Sequence, residues 1–354
     1  MIKQKYRVVG VMSGTSLDGV DLVLVDFCFE KGISFTIQAV ETIPYSPNWQ
    51  SILKKLTTID VSTLRQVDED YTLLLSKLIL RFIADNDIKD IDAVCSHGHT
   101  ALHQPDLGYT YQIGNLSKLS KLLNLTVVCD FRTQDVALGG QGAPLVPIGD
   151  QMLFSNYGFC LNLGGFANVS TTIQGRRIAF DICPVNIVLN HYSRRIGKDY
   201  DKEGDIAKSG VVNQKLLKVL NADKFYKKSY PKSLGLEWVN SNVFPIIDDF
   251  KIDVKDILRT YVEHISIQIA KQLSIQRDTK VLVTGGGAYN TFLMQCVENQ
   301  TTHKIVIPNS TQVEYKEALI FGLLGVLKLR NEINCLSSVT GAFYDHSSGN
   351  IFVP

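Results

Sequence analysis

Residues 8–26 contain two runs of β-forming apolar residues, separated by a polar turn with the sequence SGTSLDG. This pattern predicts a hairpin of two buried strands. The glycines let the backbone approach a ligand closely, and the hydroxyl groups add hydrogen-bond donors. Asp18 and Asp21 only accept hydrogen bonds. Beside a polyphosphate we therefore expect them to interact with it through a Mg²⁺ ion or the waters of that ion. No Gly-Lys-Ser/Thr follows, which excludes a Walker P-loop. The turn alone leaves an ordinary polar hairpin as an equal alternative to a phosphate site.

The length and charge of the chain limit the class of protein. A chain of 354 residues exceeds what one core usually supports, which predicts two domains with a cleft between them. The net charge is +1, and the chain contains no long basic run. Both features argue against a nucleic-acid or membrane-surface partner. The N-terminus lacks an apolar signal core, and no apolar run approaches the roughly 20 residues of a membrane span. We expect a cytoplasmic protein with a small-molecule partner; a homodimer is left open.

Cysteines and histidines give no strong metal motif. The seven cysteines are scattered singly without a C-x-x-C pair, which predicts reduced, buried thiols. His97, His99 and His103 form the one local histidine cluster. No carboxylate or thiol lies at a useful spacing from it, so a polar active-site loop is favoured over a metal site.

The order of predicted elements occurs twice along the chain. Three strands followed by helices and further strands begin at residue 8, and the same order begins again at residue 158. This repetition indicates a tandem duplication, with one ligand held between two α/β halves. We predict domains at residues 1–135 and 136–354, joined through a glycine-rich hinge at 131–147. Whether the last residues return to the first domain is left open.

Two further glycine turns lie next to predicted strands. Gly164 and Gly165 separate two strands, so their N–H groups could face an anion, although a tight hairpin without a ligand explains them equally well. Gly285, Gly286 and Gly287 follow a strand and precede a helix, a geometry suited to a nucleotide base or sugar. A single triple glycine is weak support. Three glycine turns at strand ends in one chain favour a nucleotide site.

Three charged residues are candidates for substrate chemistry. Asp181 ends a predicted strand, where a general base is well positioned, and its alternative role is the N-cap of the next helix. Arg132 could pair with a substrate or with a protein carboxylate. Glu317 lies early in the last long predicted helix, where helix-start electrostatics explain it nearly as well as function.

Taken together, these segments resemble the anhydro-N-acetylmuramic acid kinases, a family in the superfamily of actin, heat-shock ATPases and sugar kinases. The resemblance covers almost the whole chain and includes GVMSGTSLDGVD at 10–21, DFRTQDVALGGQGAPLVP at 130–147, LNLGGFANVS at 161–170, PKSLGLEW at 231–238 and GGGAYNTFLM at 285–294. It implies an α/β protein of two duplicated actin-like (ribonuclease H-like) ATPase domains with an inter-domain cleft.

The resemblance also implies a reaction. Such kinases hydrolyse the anhydro bridge of 1,6-anhydro-N-acetylmuramic acid and transfer the γ-phosphate of ATP to O6, giving N-acetylmuramic acid 6-phosphate in cell-wall recycling. ATP and Mg²⁺ are the implied cofactors, with Asp18 near Mg²⁺ through water. Asp181 matches the general base, and Thr100, Arg132 and Glu317 match sugar-site positions. The residues implied to contact the cofactor are Gly14, Thr15, Ser16, Leu17, Asp18, Gly19, Val20, Asp21, Gly164, Gly165, Gly285, Gly286 and Gly287.

Two stretches differ from the family pattern. Relatives usually read Asp-Thr-Gly-Pro-Gly-Asn at the base, where residues 181–186 read Asp-Ile-Cys-Pro-Val-Asn, and His99 stands where relatives carry glutamine. Two alternatives therefore stay open: a kinase of the same fold for another sugar or anhydro-sugar, and a catalytically silent nucleotide-binding protein. The presence of Asp181 and of all three glycine turns favours an enzyme.

Overall fold

The computed structural model describes residues 3–14, 16–276 and 279–354. Contacts between Cα atoms divide the chain into two compact units. The first unit runs to Leu153 and resumes at Tyr315–Pro354, and the second unit is Phe154–Glu314. The sequence-based domain boundary after residue 135 stays a prediction.

The described residues form twelve strands and fourteen α-helices. The strands are β1 (Lys5–Ser13), β2 (Gly19–Cys28), β3 (Ser34–Pro44), β4 (Ala93–Gln104), β5 (Tyr109–Ile113), β6 (Val127–Cys129), β7 (Phe159–Leu163), β8 (Phe166–Ile173), β9 (Arg176–Pro184), β10 (Lys280–Thr284), β11 (Lys304–Val306) and β12 (Asn350–Phe352). The helices are α1 (Pro47–Leu53), α2 (Val61–Asp85), α3 (Lys118–Leu123), α4 (Thr133–Ala137), α5 (Val146–Leu153), α6 (Asn186–Arg194), α7 (Asp205–Ser209), α8 (Gln214–Asn221), α9 (Leu236–Asn242), α10 (Phe244–Asp249), α11 (Val254–Leu273), α12 (Thr291–Gln300), α13 (Ser310–Leu329) and α14 (Ser337–Thr340).

The same strand order occurs in both units. In the first unit, β3, β2 and β1 form an antiparallel meander, and β4 and then β6 follow in parallel beside β1. In the second unit, β9, β8 and β7 form the meander, and β10 and β11 follow in parallel beside β7. The predicted duplication of an α/β domain is therefore confirmed by topology.

The first unit extends this common sheet with β12 beside β6 and β5 beside β4. The predicted hairpin is confirmed: Val8 of β1 pairs with Val25 of β2, and both side chains are completely buried. Gly10 of β1 lies so close to α13 that a Cβ atom would come 2.1 Å from the Ala318 carbonyl oxygen. Helix α13 can therefore pack tightly on the strand that leads into the glycine turn.

The core of the second unit lies between its sheet and α11, whose side chains Tyr261, Ile265 and Ile269 are buried. Helix α2 of the first unit begins after Asp60, whose side chain caps it by accepting from the N–H groups of Ser62 and Thr63. No helix among the described residues combines the length and the apolar character needed to cross a membrane.

Candidate active site

The first glycine turn is held together by the carboxylate of Asp18. Its Oδ1 atom accepts hydrogen bonds from Ser16 Oγ at 2.6 Å and from the Gly19 N–H at 3.1 Å. The Asp18 side chain is exposed, and Leu17 adopts a positive φ of 60°. A Cβ atom at Gly14 would come no closer than 3.6 Å to its nearest neighbour, so packing within the chain does not require glycine there. Thr15 lies outside the described residues.

Three of the residues predicted to contact the cofactor belong to β2 rather than to the turn. These residues are Gly19, Val20 and Asp21. The Val20 side chain is fully buried, so only its backbone is placed to meet a ligand. Asp21 Oδ1 accepts a hydrogen bond from Thr42 Oγ1 at 2.7 Å, which orients its carboxylate.

A chain of hydrogen bonds between buried side chains includes Ser13, the last residue of β1 and the first of the SGTSLDG turn. The Tyr71 and Tyr45 hydroxyls are 2.6 Å apart, Tyr45 contacts Ser13 Oγ at 2.6 Å, and Ser13 contacts His99 Nδ1 at 2.8 Å. Burial lowers the pKa of His99 to about 4, so this imidazole is neutral at pH 7. The Ser13 hydroxyl is therefore committed to the protein interior, although the sequence suggested it as a phosphate donor.

Arg132 is fixed by two partners in the first unit. Its Nε donates to His97 Nε2 at 2.8 Å and its Nη1 donates to the Gly142 carbonyl at 2.6 Å. Burial lowers the pKa of Arg132 to about 10, an effect that the negative charge of Glu317 opposes. The guanidinium group therefore remains a cation at neutral pH.

The histidine cluster is a structural feature of β4 and not a loop. His97 Nδ1 contacts the Gly98 carbonyl at 2.9 Å while its Nε2 accepts from Arg132, so both ring nitrogens are engaged. His103 Nδ1 contacts Thr110 Oγ1 at 3.1 Å. Within the part of the chain that the structure describes, these histidines form no group suited to a metal ion.

Glu317 lies beside a buried ion pair between α13 and α5. Lys316 Nζ is 2.9 Å from Asp150 Oδ1, and the two side chains are 6% and 4% exposed. The pKa of Glu317 is raised because protein surrounds its carboxyl group, although water still reaches the side chain, and the cations of Lys316 and Arg132 oppose this shift. Helix α13 begins at Ser310, so Glu317 lies well beyond the first turn, and helix-start electrostatics do not explain it.

Thr100, the third residue predicted for the sugar side, lies on β4 opposite Gln112 of β5 and is half-buried.

The two glycine turns of the second unit lie at the same edge of its sheet. Thr284 of β10 is the parallel neighbour of Asn162 of β7, so the turns at 164–165 and 285–287 both follow the carboxyl ends of adjacent strands. Packing requires Gly285 and Gly287: Gly285 has a φ of 83°, and a Cβ atom at Gly287 would lie 2.8 Å from Leu163 Cβ.

Two other glycines in these turns have room for a side chain. A Cβ atom at Gly286 would meet nothing within 4 Å, and at Gly164 the nearest atom would be 3.5 Å away. The open space beside the backbone is where a ligand could make close contact.

Asp181 lies next to a bulge in β9. The β8–β9 register shifts between Ala167 and Asn168, so Ile182 is an extra residue beside Asp181. The strand continues to Pro184, so Asp181 does not end it as the sequence predicted. The N-cap alternative is also wrong, because Val185 occupies the N-cap of α6.

The segment at 232–234 holds Asp181 in place. The Asp181 N–H donates to the Lys232 carbonyl at 3.0 Å, and Asp181 Oδ2 accepts from the Leu234 N–H at 2.8 Å. Within the described part of the chain, Oδ1 accepts no hydrogen bond. Burial raises the pKa of Asp181, and the Leu234 N–H and the charge of Lys232 oppose that rise.

Lys232 is a site residue that sequence reasoning missed. Its Nζ atom is buried and makes no hydrogen bond among the described residues, and it lies 4.9 Å from the ring centroid of Phe225 and 5.7 Å from that of Phe180. Burial lowers the pKa of Lys232, and the charge of Lys271 adds to this effect. Its segment, PKSLGLEW, is part of the family resemblance, but no local pattern marks the lysine as a neighbour of Asp181.

The residues that differ from the family pattern beside Asp181 face the core of the second unit. Ile182, Cys183 and Val185 are 1%, 0% and 0% exposed and belong to its hydrophobic cluster. Their side chains therefore belong to the hydrophobic interior, although the charge of Asp181 still acts on the Cys183 thiol.

The repeated strand order, with glycine turns at strand ends, defines the class of proteins built from two duplicated α/β domains. The sequence model described as anhydro-N-acetylmuramic acid kinase matches residues 6–354. The chain is 35% identical to the anhydro-N-acetylmuramic acid kinase of Mannheimia succiniciproducens, over 99% of this chain and 100% of that protein. It is 33% identical to the enzyme of the same name from Haemophilus influenzae, over 99% and 98%. The chain belongs to the anhydro-N-acetylmuramic acid kinase family.

A solved structure with a similar chain path is component A of (R)-2-hydroxyglutaryl-CoA dehydratase from Acidaminococcus fermentans. Its TM-score is 0.48 at 12% identity, and the match covers 92% of this chain and 99% of that chain.

Proposed function

We propose that this chain is an ATP-dependent kinase that opens the 1,6-anhydro bridge of 1,6-anhydro-N-acetylmuramic acid and phosphorylates O6. The product is N-acetylmuramic acid 6-phosphate, an intermediate of cell-wall recycling. Family membership over residues 6–354 supports this activity. The observation that carries the proposal is the state of Asp181, a largely buried carboxylate with one oxygen held by a backbone N–H and the other without a hydrogen bond among the described residues.

Asp181 is suited to accept a proton from water. Its raised pKa makes the carboxylate a stronger base than an exposed aspartate, and the Leu234 N–H fixes the direction of the side chain. In the proposed reaction, water attacks the anomeric carbon, the bond from that carbon to O6 breaks, and Asp181 takes the proton. The O6 atom attacks the γ-phosphorus atom and ADP leaves, so one water and one ATP are consumed for each sugar.

The glycine turns supply the proposed contacts to ATP. Gly14, Gly164 and Gly286 have open space where a Cβ atom would lie, so the backbone there can come close to a phosphate or a sugar. In the second unit, Gly285 and Gly287 are needed to pack the turn itself, so their role is to shape the backbone.

The acidic residues of the first hairpin fit Mg²⁺. Asp18 is exposed, and its Oδ1 atom accepts hydrogen bonds within the turn. Its other carboxylate oxygen remains available as the kind of hard oxygen ligand that Mg²⁺ prefers. We assign Asp18 to Mg²⁺ through water, with Asp21 close by in the sequence. When bound, Mg²⁺ neutralises charge on the transferring phosphate.

Arg132, Glu317 and Thr100 are proposed for the sugar side. Arg132 is held by His97 and Gly142, so its cation is oriented before any substrate arrives. Glu317 contributes a carboxyl group with a raised pKa near this cation. Such a pair suits the binding of hydroxyl groups and of a substrate carboxylate.

Product analysis tests the proposed reaction. ADP release should depend on 1,6-anhydro-N-acetylmuramic acid, and mass spectrometry should show the sugar gaining one water and one phosphate. Asp181→Asn should lower this rate by about 10²- to 10⁴-fold while ATP affinity changes little. Asp248→Asn is the matched control, because Asp248 is a partly exposed aspartate whose salt bridge with Arg195 has no proposed role in the reaction. Equal losses in both variants, or an anhydro-sugar that leaves ADP release unchanged, would contradict the proposal.

A further inference from the structure

Asp135, Cys335 and His346 bring a carboxylate, a thiol and an imidazole together inside the first unit. The three residues are 0%, 1% and 5% exposed, and their Oδ, Sγ and ring nitrogen atoms all lie within 4.8 Å of one another. Helix α4 supplies Asp135, while Cys335 and His346 face each other across a short antiparallel bridge with two backbone hydrogen bonds of 3.1 Å. None of the three has a role in the reaction proposed above.

The orientation of His346 favours a cation at its Nε2 atom. Nδ1 lies 3.1 Å from the Tyr344 carbonyl, which can only accept, so Nδ1 carries the hydrogen. Nε2 lies 3.6 Å from Asp135 Oδ1, is buried and makes no hydrogen bond among the described residues. A lone pair facing a buried carboxylate oxygen is unfavourable unless a proton or a metal ion lies between them. A backbone carbonyl on Nδ1–H is also how metal-binding histidines are usually oriented.

The other two ligand atoms are close enough to share one ion. Cys335 Sγ lies 3.0 Å from Asp135 Oδ1 and donates to it. Bond lengths of 2.0–2.3 Å in a tetrahedral zinc site place the ligand atoms roughly 3.3–3.7 Å apart, so small side-chain adjustments suffice. Burial raises the pKa of the Cys335 thiol, so metal binding would release a proton from it.

We propose that Asp135, Cys335 and His346 bind a zinc ion through Oδ1, Sγ and Nε2. Sulfur, nitrogen and oxygen together suit zinc, whereas Mg²⁺ and Ca²⁺ select oxygen ligands alone. Thr340 Oγ1, which donates to the same Asp135 oxygen at 2.7 Å, is a further oxygen at the cluster.

The site would stabilise a turn beside Arg132. Asp135 Oδ2 accepts from the Gly142 N–H at 2.7 Å, and the Gly142 carbonyl in turn accepts from Arg132. A metal ion bound to Asp135 would therefore stabilise the Gly142 backbone that holds Arg132, without contacting the substrate. Its loss should lower thermal stability first, and any effect on sugar KM should follow from the looser turn.

Metal analysis of the full chain, purified without a histidine tag, tests the site. We expect about one zinc ion per chain after dialysis, and Co²⁺ substitution should give the near-ultraviolet charge-transfer band of a cobalt–thiolate bond. Cys335→Ser and His346→Gln should lose bound zinc and the band. Cys28→Ser is the matched control, because Cys28 is a half-buried cysteine of β2 outside the cluster, and it should keep both.

The wild-type protein decides the question even if a variant fails to fold. Folded wild-type chain that retains no zinc, and that shows no thiolate band with Co²⁺, would overturn the proposal and leave the three residues as a metal-free structural cluster. Zinc that binds without a thiolate band, or that survives in folded Cys335→Ser, would place the ion elsewhere and would equally overturn it.

Discussion

Replacing Lys232 with methionine should move the acid limb of the pH–rate profile to higher pH. Asp181 must be ionised to act as a base, and burial already raises its pKa while the charge of Lys232 opposes that rise. Removing a nearby cation typically raises a carboxyl pKa by about 1–3 units. We expect a rise at the lower end of this range, because the Leu234 N–H, which opposes the rise more strongly than Lys232, remains. Below the limb, kcat/KM should fall about tenfold for each unit by which the limb moves, and above it the variant should match the wild type.

Methionine is a suitable replacement because the Lys232 Nζ makes no hydrogen bond among the described residues and lies near the faces of the Phe225 and Phe180 rings. A thioether packs well in such surroundings, so the fold should be kept. The assay is sugar-dependent ADP release over a range of pH. Lys271→Met is the control. The charge of Lys271 lowers the pKa of Lys232 but is not among the charges that shift the pKa of Asp181, so the acid limb of this variant should not move. A loss of rate in Lys232→Met that is uniform across pH would refute this reasoning.

Three further changes test other parts of the account. Asp18→Asn should raise the Mg²⁺ concentration needed for half-maximal rate and leave sugar KM nearly unchanged; a rise in sugar KM alone would show that the first hairpin is wrongly assigned. Lys316→Met should lower the free energy of unfolding by about 3–5 kcal/mol in urea titrations, since it leaves the Asp150 charge buried; a loss below about 1 kcal/mol would show that water reaches the pair. Val185→Gly should cost about 2–4 kcal/mol by the same measurement, because it removes a fully buried side chain; an unchanged midpoint would place residue 185 outside the core.

Dense local patterns in the sequence predicted much of the fold. The runs of valine and leucine on both sides of the first turn are long enough to fix β1 and β2, and the repeated order of elements revealed the duplication. Strands β5 and β12 were missed. Strand β12 has three residues and depends on pairing with β6, more than 200 positions earlier, a partner that no local pattern indicates.

The candidate site was only partly predictable, for the same physical reason. Asp181 stood out because it follows a clear strand pattern, but the bulge at Ile182 and the charge of Lys232 that acts on the carboxylate arise from tertiary contacts. The bulky residues at 182, 183 and 185 looked like changes beside a ligand, and the structure buries them in the core. The partner of Lys316 also lies far away in the sequence, on α5.

Hydrolysis of the anhydro bridge coupled to phosphorylation, with Asp181 as the base, is the central claim. The most direct measurement is to run the reaction in ¹⁸O-labelled water and locate the label by mass spectrometry and ¹³C NMR. We predict ¹⁸O on the anomeric hydroxyl of the phosphorylated sugar, none in its phosphate group, and a rate in Asp181→Asn lower by about 10²- to 10⁴-fold. Label in free phosphate without a sugar product would indicate a simple ATPase and would contradict the account.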